Sequence, residues 1–191
     1  MRNGLNNALA LALKIPGAVA AMFYALCKAA QISLPDDKNL GDVRVWHGKI
    51  VAALLNTTFF NAPISTDTNN FTNSAGAIRA QNEHIMIKGI QVYSGLNAAV
   101  NATDWAPGLT ASGTQNGSFD LLINGAKVLS GIDLTVFNGD GTETSQLGYY
   151  ELAKPILVPA QQSVAMNMTF AVAPAATTNI LVVLDSFGAF S

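Results

Sequence analysis

The chain is poor in the residues that do chemistry. Among its 191 residues are two histidines and one cysteine, and charged residues make up 12%, about half the ~25% of ordinary soluble domains. With Cys27 as the only thiol, no intrachain disulfide can form. Its apolar neighbours point to a small buried hydrophobe. His47 and His84 stand in different segments with no second metal-ligand type at a useful spacing. His47 follows Trp46 in a strand-like pattern and is expected to be structural. The stretch from Asn138 to Glu143 resembles the start of a calcium loop, but the required glycine position holds Glu143 and the twelfth position Tyr149, so no EF-hand is expected. There is no glycine-rich phosphate loop, no nucleophile elbow and no justified pair of catalytic carboxylates. No catalytic, cofactor-binding or metal-binding residue is assigned on this basis, and the chain is not expected to be an enzyme.

A membrane-spanning run is missing too. Apolar residues dominate from Leu5 to Ala30, yet Lys14, Pro16, Gly17 and Lys28 interrupt them. Neither half approaches the ~20 residues a spanning helix needs. Arg2, the run from Ala8 to Leu13 and Ala18-Val19-Ala20 resemble parts of an export signal. Lys14 and Pro16 break its apolar region, so the segment is expected to stay on the chain.

The little charge there is lies unevenly. Up to Ile50, six bases (Arg2, Lys14, Lys28, Lys38, Arg44, Lys49) face three acids (Asp36, Asp37, Asp42), a net of +3. From Val51 onward, four bases face nine acids, a net of −5. A mildly basic arm on a mildly acidic body suits an arm facing phosphate or anionic lipid, although three excess charges do not make a nucleic-acid site. A formal net charge of −2 gives little mutual repulsion between copies. Low charge with abundant Ala, Asn, Thr, Ser and Gly suits a surface covered by neighbours.

What the chain does have is strand pattern. Val164, Met166, Met168, Phe170 and Val172 alternate with Ala165, Asn167, Thr169 and Ala171, the period of a strand with one buried face. These five are expected to pack in the core. Phe119, Leu121 and Ile123 alternate likewise and run into Asn124-Gly125, a hairpin signal. Its second strand is expected to reach Phe137. Other strands are expected from about Asp42 to Ala52, Leu54 to Pro63, Ile85 to Tyr93, Tyr149 to Val158 and Asn179 to Phe187. In the segment from Ile85, the odd-numbered residues Ile85, Ile87, Gly89, Gln91 and Tyr93 should share one face. Pro155 marks an edge or bulge and Pro159 a stop. Ser65 to Ala80 and Leu96 to Gly117 read as long surface loops.

Eight strands with two long loops suit an eight-stranded jelly roll better than an immunoglobulin-type sandwich. The expected fold is all-β, a single jelly roll over residues 42–191 after an N-terminal arm, residues 1–41. In the arm, Pro16 can open a helix that runs to about Ala30. Val19, Met22, Phe23 and Leu26 form one apolar stripe along it. A helix this short must dock on something; these four are the expected docking residues, with Arg2, Lys14 and Lys28 turned to lipid or genome. Trp105, with Tyr93 or Tyr149, could form a sugar platform or an intersubunit plug. The five glycosylation-type triplets, at Asn56, Asn70, Asn101, Asn116 and Asn167, are expected by chance in so Asn- and Thr-rich a chain.

The succession Pro155-Ile156-Leu157-Val158-Pro159-Ala160-Gln161-Gln162-Ser163-Val164, then a strand, a Pro/Ala turn and a final apolar strand, resembles the jelly-roll capsid proteins of tailless icosahedral bacteriophages. Members of that group often enclose an internal membrane, and an N-terminal helical arm commonly precedes the barrel. The resemblance covers about residues 42–191. The chain is too short for the double jelly roll of the larger members, so a single barrel is implied. The resemblance implies a structural protein of the virion that forms trimeric or pseudo-hexameric capsomers. Its partners would be copies of itself and other capsid proteins, with internal membrane lipid or genome against the arm, and no small-molecule substrate or cofactor. Major shell protein, smaller companion and vertex or spike subunit all fit. The rival class is a β-sandwich carbohydrate-binding or host-adhesion module.

Overall fold

A computed structural model describes residues 17–34, 39–61, 65–66, 70–73, 83–138 and 146–190. The described residues are mostly β, with one helix and two antiparallel sheets. The helix α1 spans Gly17–Ala29, and the strands are β1 (Asn39–Ile50), β2 (Asn56–Phe59), β3 (Ser65–Thr66), β4 (Asn70–Thr72), β5 (His84–Leu96), β6 (Ala106–Pro107), β7 (Gly117–Ile123), β8 (Ala126–Asp133), β9 (Tyr149–Val158), β10 (Val164–Phe170) and β11 (Thr178–Phe190). The first sheet, sheet A, runs β3-β4-β1-β11-β5, and both β6 and β9 pair with β5. The second, sheet B, runs β2-β10-β7-β8. One core of buried side chains joins them, drawing Val45, Ile87, Val92 and Val182 from sheet A and Phe59, Phe119, Met166 and Phe170 from sheet B. This is an all-β sandwich.

Among the strands of four or more residues, every connection crosses from one sheet to the other except the β7–β8 hairpin. That hairpin turns through Asn124 at φ 49 and Gly125 at φ 78, the two left-handed residues of a primed turn whose twist matches the strands. The loops collect at the two ends. At one end Ala53 N–H donates to Pro174 O at 3.0 Å, Asn97 N–H to Thr177 O at 3.0 Å and Ala175 N–H to Ser112 O at 3.4 Å. At the other, Asn124 N–H donates to Ser163 O at 2.9 Å.

Several expectations are corrected. The faces of β5 switch partway along: Ile85 and Ile87 are core residues, and then so are Ile90 and Val92. Gly89 pairs with Asp185 and Ile87 with Ser186, leaving Lys88 as an extra residue in a bulge. One inserted residue inverts a period of two. Strand β9 bulges at the same place, with Glu151 opposite Gly89 and Ile156 opposite Ile87. Pro155 thus sits in an unpaired stretch of an edge strand, where its missing N–H costs no ladder bond.

Val164, Met166, Met168 and Phe170 are buried, but Val172 is 66% exposed. Strand β10 ends at Phe170, opposite the first residue of β7, so nothing extends the alternation beyond it. The strand after Asn124-Gly125 ends at Asp133, whose side chain accepts from Thr135 N–H and caps a short 3-10 turn over Leu134–Phe137. Within the expected loop from Ser65 to Ala80, β4 pairs with the edge of β1 at three positions and β3 pairs with β4 at two. The loop from Leu96 to Gly117 contains a 3-10 turn at Val100–Ala102 and the short strand β6. The calcium-like stretch falls mainly within residues 139–145, outside the described residues.

Helix α1 docks on the outer face of sheet A, away from the main core. Ala20, Phe23 and Cys27 are buried against Met86, Phe187 and Ala189, with Val19, Leu26, Ile32 and Leu34 packed around them. The rings of Phe23 and Phe187 meet edge to face at 5.7 Å. Met22 is 38% exposed and does not belong to this contact. The helix presents its i, i+3, i+7 row of Ala20, Phe23 and Cys27, because small residues on either side of one large anchor allow a close approach. Of the apolar stripe, Val19, Phe23 and Leu26 take part in this contact and Met22 does not. Cys27 is buried, and that burial lifts its thiol to about 11, so it is inert. Gln31, at φ 57, ends the helix: its N–H bonds Lys28 O, and Ile32 N–H bonds Cys27 O at 2.8 Å, a Schellman closure. Among the described residues no helix is long and apolar enough to cross a membrane.

Candidate functional site

With the inward side chains spent on the core, the chemistry available to partners lies on the two outer faces. Alternation along β1, β11 and β5 sends Trp46, Gly48, Leu181, Val183, Gln91 and Tyr93 outward together. The ring of Phe71, on β4, lies 4.4 Å from that of Trp46. Asn73 fixes this edge: its Oδ1 accepts from Trp46 N–H at 2.8 Å, and its Nδ2 donates to Arg44 O at 2.8 Å. Gly48 leaves a gap in the face. A Cβ there would stand 3.4 Å from Trp105 Cζ2 and 3.5 Å from Leu181 Cδ1, so Trp105, from the long loop after β5, lies down onto the sheet. The outer face of sheet A is therefore aromatic at one end and covered by α1 at the other.

A polar band separates the two. The bulge residue Lys88 places Nζ 3.0 Å from Asp42 Oδ1 and 3.5 Å from Asp185 Oδ1. Tyr149 O–H donates to Asp185 Oδ2 at 3.1 Å, over a Gly89 whose missing Cβ leaves room for the phenol. Burial, then the charge of Asp185, lift the Tyr149 phenol to about 12. The phenol therefore stays protonated and serves as a fixed donor.

The outer face of sheet B is different. Asn56 and Thr58 of β2, Asn167 and Thr169 of β10 and Asp120 of β7 line an open cleft of about 350 Å³, rimmed by Lys49, Leu54 and Asn61. Thr58 O–H donates to Asn167 Oδ1 and Thr169 O–H to Asn56 Oδ1, both at 2.8 Å. Asp120 takes Lys127 Nζ at 2.7 Å and Gly131 N–H at 2.8 Å. The lysine first, and then the amide, hold its carboxyl below the usual range.

The expected site residues fall as follows. Trp105, Tyr93 and Tyr149 do share one outer face, but Tyr149 is committed to Asp185, and the rings nearest Trp105's end of the face include Trp46 and Phe71. Those two were not singled out from the sequence. The only signal for Phe71 was one aromatic residue in a polar segment. Lys28 is exposed on α1, while Arg2 and Lys14 lie outside the described residues. His47 is fully buried, its Nδ1 accepting from Phe60 N–H at 2.7 Å and its ring set edge-on to Phe59 and Phe60. His84 Nδ1 accepts from Ala160 N–H at 3.1 Å. No cluster of His, Cys, Asp and Glu able to hold a metal ion occurs among the described residues. No protein family, characterised protein or solved structure matches the chain.

Proposed function

We propose that this chain is a single jelly-roll capsid subunit of an icosahedral virus, built to pack against copies of itself. The observation that carries the reading is the strand order. The strands of four or more residues run β1-β11-β5-β9 in sheet A and β2-β10-β7-β8 in sheet B, all antiparallel. Taken as first to eighth along the chain, they stand 1-8-3-6 and 2-7-4-5, the interleaving produced by rolling up two Greek keys. β3, β4 and β6 are then short additions within loops. A fold alone does not give a function. Assembly is supported by the low charge and by the aromatic end of sheet A, since Trp, Tyr and Phe are enriched where protein interfaces are buried. In the proposed shell the helix-covered end of sheet A faces inward, with the exposed Lys28 toward genome or anionic lipid.

Sedimentation velocity and electron microscopy of the purified full chain test this. The expected result is a closed oligomer or particle. A chain that stays monomeric up to high concentration overturns the reading.

A further inference from the structure

The cleft on sheet B has more hydrogen-bond donors than the protein uses. A Thr hydroxyl donates to Oδ1 of each of Asn56 and Asn167, so neither threonine engages the amide NH₂, which can donate to a ligand. Lys49 is half-buried at the rim and donates to the Thr58 carbonyl at 3.3 Å. Among the described residues it has no carboxylate partner. The one carboxylate of the cleft, Asp120, already holds Lys127 and the Gly131 amide. Burial pulls the Lys49 ammonium down from its usual value, which marks a cation short of compensation. An anion would supply that compensation. The amides and hydroxyls sit on neighbouring strands, about 5 Å apart, and call for a ligand with several hydroxyls. Leu54, 42% exposed, offers an apolar edge beside them. A volume of about 350 Å³ lies at the small end of ligand sites.

We propose that this cleft binds an acidic saccharide, with the ligand carboxylate on Lys49 and its hydroxyls on the amides of Asn56 and Asn167. The site takes its amides from sheet B and Lys49 from β1 of sheet A, a residue that alternates with the outward Trp46 and Gly48 of the aromatic face, and stands whether or not the chain assembles.

The test is isothermal titration, with saturation-transfer NMR, of the full chain against glucuronic acid and N-acetylneuraminic acid. Glucose serves as the neutral arm and acetate as the arm with charge but no hydroxyls. At least one acidic sugar is expected to bind more tightly than either control. Lys49→Met, which keeps the apolar stem, should weaken that binding about tenfold or more, the loss expected when a charge-assisted hydrogen bond goes. Asn56→Ala, on the exposed rim, should weaken it several-fold without unfolding the chain, and Lys154→Met on β9 should leave it unchanged. The proposal is overturned if neither acidic sugar binds, if glucose or acetate binds as well, or if folded Lys49→Met and Asn56→Ala chains bind as the parent does.

Discussion

The two sheets present similar inner faces and opposite outer ones. Inside, both are aliphatic and aromatic, and the residues of β10 and β11 contribute alike to one core. Outside, sheet A carries Trp46, Phe71 and Trp105 at one end and lies under a helix at the other, whereas sheet B carries Asn56, Thr58, Asn167 and Thr169. The inner pattern makes the sandwich; the outer pattern separates a face suited to burial by protein from a face suited to water or a hydroxylated ligand. Burying rings removes large apolar areas from water. Burying unpaired amides would cost about 1–3 kcal/mol each.

The strongest break in this comparison comes from the core. Phe170→Ala should destabilise by about 3–5 kcal/mol in denaturant unfolding, while Val172→Ala, two residues on and exposed, should stay within about 0.5 kcal/mol. Equal effects would mean the alternation continues past the end of β10. Next is the covered end of sheet A. Phe23→Ala should cost about 3 kcal/mol, the low end for a buried phenylalanine because α1 can detach from the sheet, and lower hydrogen-exchange protection along α1 before that of β11. A helix still protected would show that Phe23 is not its anchor. On the outer face of sheet B, Thr169→Ala removes an exposed hydrogen bond to Asn56 and should change stability by less than about 1 kcal/mol. A larger loss would make the ladder structural and weaken the contrast between the faces.

The smallest effect is a pH dependence in the β7–β8 hairpin. The Thr135 amide, and then its hydroxyl, hold the Asp133 carboxyl down, as Lys127 and the Gly131 amide hold that of Asp120. Both carboxyls titrate below their unfolded value, so their contribution is present above the ordinary carboxylate range. It is lost as pH falls through the lower folded values. The amide signals of Gly131 and Thr135 should shift in that acid range while those of Val45 and Val182 hold still. Coincident shifts would place the acid sensitivity elsewhere.

Legibility followed locality. The Asn124-Gly125 turn and the Val164 to Phe170 alternation were plain because each depends on a few adjacent residues. The bulge at Lys88 was not: it is set by Asp42, Asp185 and Tyr149, all distant in sequence. On α1, Val19, Phe23 and Leu26 of the apolar stripe pack on the sheet and Met22 does not, because the neighbours Met86, Phe187 and Ala189 also take the small residues Ala20 and Cys27. Of the candidate surfaces, Trp105 could be picked out, but the pairing of Trp46 with Phe71 depends on a short strand in a segment that looks like loop. The cleft of sheet B was invisible, because Asn and Thr in a chain full of both carry no signal until four of them meet across two strands.

Trp46 and Trp105 are the only two tryptophans and share the aromatic end of sheet A, so tryptophan fluorescence, excited selectively over the four tyrosines, reports on that face. Acrylamide quenching across a dilution series, with sedimentation followed in parallel, tests directly whether this face is buried by neighbours. The account predicts strong protection in the assembled state that disappears as the particles dissociate. Quenching that is equally efficient in assembled and dissociated protein would contradict it.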